Sequence, residues 1–322
     1  MSPPATTPSA RAASLPLDAP KEQLAHEGAS GAVEHANRAA NLIMRFCDDW
    51  PAGDLQFKPA LIDLCRQLFA AQPSTASVLN LCNEVLQAIE RERIIYLQGR
   101  PVPATEPQAA SNAALRFTAF LAHHSRRIAN ETLPYIHSGS LLLTHSYSAT
   151  VLAALVRAKH AGKRFGVVCT ESRPGLEGLR MASALAEQGI AVEVIVDGAA
   201  AVFIHGFYTL LIGADAISGE GVLGKVGTLG LALAARTQGT PVYCLAGSEK
   251  FLPSGATFVL GEEHGNVLVP PQPNLHGFNL QFDQTPLNLV TKYFSEDGVL
   301  SPNELQDRLR ARTFHPALRS QQ

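Results

Sequence analysis

The chain has 322 residues, 46% of them hydrophobic and 17% charged, which excludes a disordered or fibrous protein and allows one large domain or two ordinary ones. Lysine and arginine number 26 against 28 aspartates and glutamates, a net charge of -2, so the electrostatic footprint of a nucleic-acid or anionic-membrane binder is absent. No apolar run approaches the roughly 18 to 20 residues of a membrane span; even the stretch from Ile190 to Ile217 is broken by Glu193, Asp197, His205 and Asp215.

The first 20 residues are rich in Pro, Ala, Ser and Thr and lack a signal-peptide core, so residues 1–30 are expected to form a disordered tail. The five cysteines, Cys47, Cys65, Cys82, Cys169 and Cys244, never form C-x-x-C. Neither a disulfide framework nor a zinc site is signalled, a reducing cytoplasm fits best, and no metal or cofactor is expected.

From residue 31 to Ile136, apolar residues recur at three- and four-residue spacing in AANLIMRFC, PALIDLCRQLFAA, SVLNLCNEVLQAIERERIIYL and AALRFTAFLAHHSRRIA. About four helices are expected, with the PVPATEP stretch from Pro101 to Pro107 as a loop. Beyond Gly139 short apolar runs alternate with helical stretches: SLLLTH, RFGVVCT, IAVEVIV and TLLIGADA each precede a helix, and TPVYCLAG closes the series. Continuous apolar strands with crossover helices predict an open, doubly wound α/β sheet whose ligands sit at the carboxyl ends of its strands.

Polar residues cluster at those ends: Thr144, His145 and Ser146; Thr170, Glu171, Ser172 and Arg173; Asp197; Asp215; and Ser248, Glu249 and Lys250. A single one reads as a helix cap, whereas several together favour a site. GEGVLG, Gly219 to Gly224, has the spacing G-x-G-x-x-G but follows the fourth strand instead of the first. With Lys225 it nearly makes a phosphate loop, yet Val226 stands where magnesium needs a hydroxyl. The same segment runs through Lys225, Gly227 and Thr228 into a helix N-terminus, where free N–H groups favour an anion such as phosphate, although a plain tight turn explains the glycines equally well. Arg173 can hold a phosphate bidentately, whereas Arg180 and Glu177 read as an ion pair on a helix. Asp215 follows its strand closely enough to be partly buried, which moves a carboxyl toward general-base use. There is no G-x-S-x-G elbow, and His123, His124, His145 and His205 show no pairing that makes a triad legible.

Several segments resemble the α/β/δ subunits of translation initiation factor 2B and the related methylthioribose-1-phosphate and ribose-1,5-bisphosphate isomerases. They are LLLTHSYS, TESRPGLEG, GIAVEVIVDGAA, IGADAISGEGVLGKVGT, PVYCLAGSEKF and FDQTPLNLVT, which span most of residues 137 to 300. The resemblance implies an α/β protein with an N-terminal helical domain over 31–137 and a Rossmann-like doubly wound parallel sheet domain over 138–322. It implies a homodimer or higher oligomer and a pocket for a small phosphorylated sugar or nucleotide, with no direct contact to nucleic acid or membrane.

It also implies roles for particular residues. Asp215 matches the acid–base aspartate of the isomerases' G-A-D segment, and Ser146 stands where they carry a catalytic cysteine, as in the noncatalytic subunits. A hydroxyl exchanges protons less readily than a thiol of pKa about 8.5. Gly224 replaces an asparagine, and Cys169, one strand over, is an alternative thiol. Asp215 and Ser146 are therefore the candidate catalytic residues, and Arg173, Glu171, Asp197, Lys225, Gly227, Thr228 and Lys250 the candidate ligand or phosphate contacts. Two functions stay open: an aldose–ketose isomerase acting on a phosphorylated pentose, and a noncatalytic regulatory or exchange-factor-like subunit.

Overall fold

Apolar spacing in the first half resolves into helices α1 (Ala32–Asp48), α2 (Phe57–Ala71), α3 (Ala76–Arg91) and α4 (Glu106–Thr132). The computed structural model describes residues 31–91, 94–97, 100–257, 260, 262–264, 270 and 272–321, so the expected tail over 1–30 lies outside the described residues. On α1 the buried positions Ala36, Ala39, Ala40, Ile43 and Cys47 repeat every three or four residues, one apolar stripe facing α3 and α4. Thr105 starts α4 with a capping box: its Oγ1 accepts from the Gln108 N–H at 3.4 Å while its own N–H donates to Gln108 Oε1 at 3.1 Å.

The expected loop before α4 is in part a two-stranded antiparallel ribbon, β1 (Ile94–Leu97) with β2 (Arg100–Pro103). Prolines mislead there because the outer side of a ribbon tolerates a residue without an N–H.

The second half builds a seven-stranded sheet from β3 (Leu141–Thr144), β4 (Gly166–Thr170), β5 (Ala191–Ile195), β6 (Thr209–Ile212), β9 (Val242–Leu245), β13 (Lys292–Ser295) and β14 (Gly298–Leu300). Its order is β14-β13-β9-β6-β3-β4-β5, parallel throughout except for the β13–β14 hairpin at one edge. Helices α5 (Ala149–His160), α6 (Glu177–Glu187), α7 (Asp197–Phe203) and α8 (Thr228–Gln238) make the crossovers, and α9 (Pro302–Arg310) follows the last strand. Successive residues feed two separate cores: Leu142, Val167 and Leu211 pack on one face, while Leu143, Val168 and Leu210 pack on the other. Burial on both faces explains the continuous apolar runs of β3, β4, β6 and β9, whereas β5, expected to be buried in the same way, is largely exposed as the edge strand.

A three-stranded antiparallel sheet that the sequence did not announce joins β7 (Ala216–Ser218), β8 (Gly221–Lys225) and β12 (Phe282–Thr285). The described residues also hold a short pair, β10 (Glu262–His264) with β11 (Phe278–Leu280). GEGVLG is thus mainly strand. Its glycines permit close backbone approach, since a Cβ would stand 2.4 Å from the Ser254 carbonyl oxygen at Gly219 and 2.5 Å from that of Thr285 at Gly221. The helical half shares its core with this small sheet through Ala216 and Leu223, which carries the start of α1 to the ends of the parallel strands.

Gly178, in the first turn of α6, meets β4 so closely that a Cβ would lie 1.7 Å from the Thr170 carbonyl oxygen. Gly178→Ala is expected to lower stability by about 1–3 kcal/mol or more, read as a reduced midpoint in urea at unchanged slope.

Candidate functional site

The sheet order reverses between β3 and β6, whose connections run in opposite directions along the sheet, and a crevice opens at the carboxyl ends of strands flanking such a point. It is lined from β3 and its loop by His145, Ser146, Tyr147 and Ser148, from the segment after β6 by Gly213, Ala214 and Asp215, and from β8 onward by Gly224, Lys225 and Thr228. Lys250, only 4% exposed, enters from the turn after β9, and Gly31 to Glu34 close the site from the start of α1. Gly213 lets these loops meet, because a Cβ there would be 2.4 Å from Ser148 Oγ.

Asp215 is half-buried and lines the crevice. Desolvation raises its carboxyl pKa, the Lys250 and Lys225 cations pull it back, and Glu177 adds a smaller upward push; the net direction is up. Its backbone is fixed from both halves of the molecule, the N–H donating to Leu223 O at 2.9 Å and the C=O accepting from Ala76 N–H at 3.1 Å.

Ser146 has a left-handed backbone, φ +60°, as has Ser172 with φ +62°. Non-glycine residues held this way cost about 1–3 kcal/mol each and cluster at functional sites. The Ser146 N–H donates to Ser172 Oγ at 2.8 Å, and the Thr170 and Ser172 hydroxyls are 3.1 Å apart. Thr170 Oγ1 lies 2.6 Å from His145 Nδ1, and His145 Nε2 lies 2.9 Å from Val226 O. Burial lowers the pKa of His145, which favours the neutral ring at pH 7.

The remaining expected site residues fall into two groups. Lys225, Thr228 and Lys250 line the crevice with Asp215 and Ser146. Lys225 Nζ donates to Glu177 Oε1 at 2.6 Å, so the pair expected on a helix face is instead formed across 48 residues. Asp197, Glu171, Arg173 and Gly227 lie outside the lining. The Asp197 carboxylate clamps the strand-end loop by accepting from the Ser172 and Arg173 N–H groups, each at 2.7 Å. Arg173 is exposed, and the Glu171 N–H donates to Ile195 O at 2.8 Å.

The N-terminus of α8, read as an anion site, is filled by the protein itself. Asp283 on β12 accepts from the Gly227 N–H at 2.7 Å and from the Leu229 N–H at 3.1 Å. Burial raises the Asp283 pKa to about 6 against the lowering effect of these bonds. A carboxyl whose pKa is raised on folding contributes stability below its unfolded value of 3.8, lost as pH rises through about 6. Wild-type protein is therefore expected to gain stability between pH 7 and pH 5 relative to Asp283→Asn, measured by urea denaturation at both pH values.

Cys169 is packed in the apolar core, where burial pushes its thiol up to about 12, out of reach of proton exchange at neutral pH. Lys250 has a structured support of its own. Asn80 on α3 donates to the carbonyls of Glu249 at 2.7 Å and Phe251 at 3.0 Å, and His124 on α4 meets Glu249 Oε2 at 3.0 Å and Glu296 Oε1 at 3.7 Å. Burial opposes ionisation in both members, yet the contact carries His124 up and Glu249 down from their ordinary values.

Sequence reasoning missed His145 as a structural hub, Tyr147 and the start of α1. The only available signal was their place beside Ser146 and ahead of the first helix.

The crevice thus places a half-buried carboxyl near two lysines at the switch point of a doubly wound α/β sheet, where such folds take their ligands. The model of the Initiation factor 2 subunit family matches residues 28–302. A translation initiation factor eIF-2B subunit 2-like protein of Pyrococcus horikoshii is 30% identical over 287 residues, 87% of this chain and 94% of that protein. Ribose 1,5-bisphosphate isomerase of Haloferax volcanii is 30% identical over 285 residues, 85% of each. Among solved structures, translation initiation factor eIF-2B from Pyrococcus horikoshii superposes with a TM-score of 0.76 at 29% identity, covering 89% of this chain and 97% of that one. The 5-methylthioribose 1-phosphate isomerase of the same organism shares the fold, TM-score 0.70 at 20% identity over 91% and 87% of the two chains. The chain belongs to the Initiation factor 2 subunit family. Among the described residues, no helix is long and apolar enough to cross a membrane.

Proposed function

We propose that this protein is an aldose–ketose isomerase acting on a phosphorylated pentose. The observation that carries the reading is Asp215: a half-buried carboxyl in the crevice, its pKa raised by desolvation, with the cations of Lys225 and Lys250 nearby. Interconversion of aldose and ketose moves hydrogen between C1 and C2, and a group that both gives and takes a proton works best with a pKa near the ambient pH. Asp215 is the acid–base residue, Ser146 supplies a hydroxyl to a substrate oxygen, and Lys225, Lys250 and Thr228 hold phosphate. Similarity to ribose 1,5-bisphosphate isomerases supports the substrate class. We propose a homodimer or higher oligomer as the working form; the exposed apolar residues Val194, Val196, Val202 and Phe203 around β5 and α7 support it.

A second reading, a noncatalytic regulatory subunit that binds the same ligands, is favoured by the serine at position 146 and by Gly224, where a Cβ would already stand 3.2 Å from Thr228 Oγ1. NMR of the protein with ribose 1,5-bisphosphate, 5-methylthioribose 1-phosphate and ribose 5-phosphate separates the two. Ketose phosphate formed by wild-type protein and lost in Asp215→Asn supports the isomerase. Thermal stabilisation by a ligand without turnover supports the regulatory subunit.

A further inference from the structure

His145 touches two segments that the chain brings together from far apart, and the chemistry of its contacts fixes the direction of the hydrogen bond at each ring nitrogen. Val226 O can only accept, so His145 Nε2 carries the proton and donates across 2.9 Å. A neutral ring with a proton on Nε2 has a lone pair on Nδ1, so the Thr170 hydroxyl donates to it across 2.6 Å. Thr170 Oγ1 is then free to accept from Ser172 Oγ at 3.1 Å, and Ser172 Oγ accepts the Ser146 N–H at 2.8 Å. The Ser172 hydroxyl can donate to Thr170 Oγ1 or, at 3.4 Å, to the Thr170 carbonyl, so the fixed directions are those at the ring, from the Thr170 hydroxyl to Nδ1 and from Nε2 to the carbonyl between Lys225 and Gly227. Gly227 fits beneath the ring, where a Cβ would come within 3.1 Å of it, and its own φ is +107°.

We infer that His145 is a positioning residue, a neutral imidazole locked as the Nε2–H tautomer that sets the Lys225–Thr228 segment against the strained Ser146 backbone. It spans the two sides of the crevice through its two ring nitrogens, which bond Thr170 and the Val226 carbonyl. This inference rests on the proposed role of Lys225 and Thr228 in holding phosphate, but the state of the ring can be read without any ligand.

The test uses the full chain labelled with ¹⁵N and long-range ¹H–¹⁵N correlation of the histidine rings, with the His145 signals assigned by their loss in His145→Gln. A neutral Nε2–H ring is expected at pH 8 and at pH 7. Thr170→Val, which removes the donor to Nδ1, is expected to give a mixture of tautomers. A ring protonated on Nδ1, or charged at pH 7, overturns the inference. Binding of inorganic phosphate supplies the second readout. His145→Gln keeps a donor near the position of Nε2 and His145→Asn does not, so calorimetry should show affinity about tenfold weaker in His145→Asn and within about threefold of wild type in His145→Gln. Equal losses in the two variants overturn the positioning role. If wild-type protein binds no phosphate, the phosphate contacts of the proposed function fail, while the tautomer still decides the state of His145.

Discussion

Asp215→Asn is expected to reduce turnover by about 10² to 10⁴-fold, the range that a positioned acid–base group contributes. The same substitution should make the protein more stable at neutral pH, because an amide of the same shape carries no charge to desolvate. Here the pKa of the carboxyl is raised on folding. Such a group contributes stability that is complete below the unfolded value of 3.8 and lost as pH rises through the folded value. The advantage of Asp215→Asn in Tm should therefore vanish at about pH 3.8 and grow as pH rises. Loss of turnover with a higher Tm identifies a residue kept for chemistry at the expense of stability. Loss of both would place Asp215 in the framework instead.

The second large effect is expected at the support of Lys250, outside the crevice lining. His124→Ala leaves Glu249, 7% exposed, without its hydrogen-bonded cation, and removing one member of a buried pair costs about 3–5 kcal/mol. The pH dependence has a definite sign. His124 has its pKa raised on folding, so its contribution is complete below 6.5 and lost as pH rises through the folded value. Glu249 has its pKa lowered, so its contribution is complete above 4.5 and lost as pH falls through the folded value. The difference in unfolding free energy between wild type and His124→Ala should be largest between about pH 4.5 and 6.5 and shrink toward pH 9. A difference independent of pH would show that packing, rather than charge, holds His124 there. Because Glu249 precedes Lys250 and Asn80 grips the peptide between them, the variant should also weaken binding of a phosphorylated ligand.

Much of the architecture was legible in the sequence because its cause is local. Leu142 and Leu143, Val167 and Val168, and Leu210 and Leu211 are adjacent apolar pairs that only a strand buried on both faces requires. Asp215 and Ser146 could be picked out because they stand where apolar strands end. What could not be read depends on partners distant along the chain. His145 meets residues 25 and 81 positions away, and Lys225 is paired with Glu177, 48 positions back. The α8 terminus looked vacant in sequence because its acceptor, Asp283, is supplied 56 residues after Gly227. The glycines of GEGVLG left two readings open, because spacing alone does not distinguish a glycine that faces a ligand from one that lets two backbones pack.

The strand order also sets a timetable for the emerging chain. β3, β4 and β5 are neighbours made consecutively and can pair as they leave the ribosome, which leaves one side of β3 as a bare edge until β6 has been synthesised. That edge is the side on which the crevice forms, and Leu143 of β3 waits 67 residues for Leu210 of β6. A nascent chain stalled before β6 therefore carries Ser146 but neither Asp215 nor a covered β3, and exposes an unpaired strand edge where the crevice of the finished protein forms.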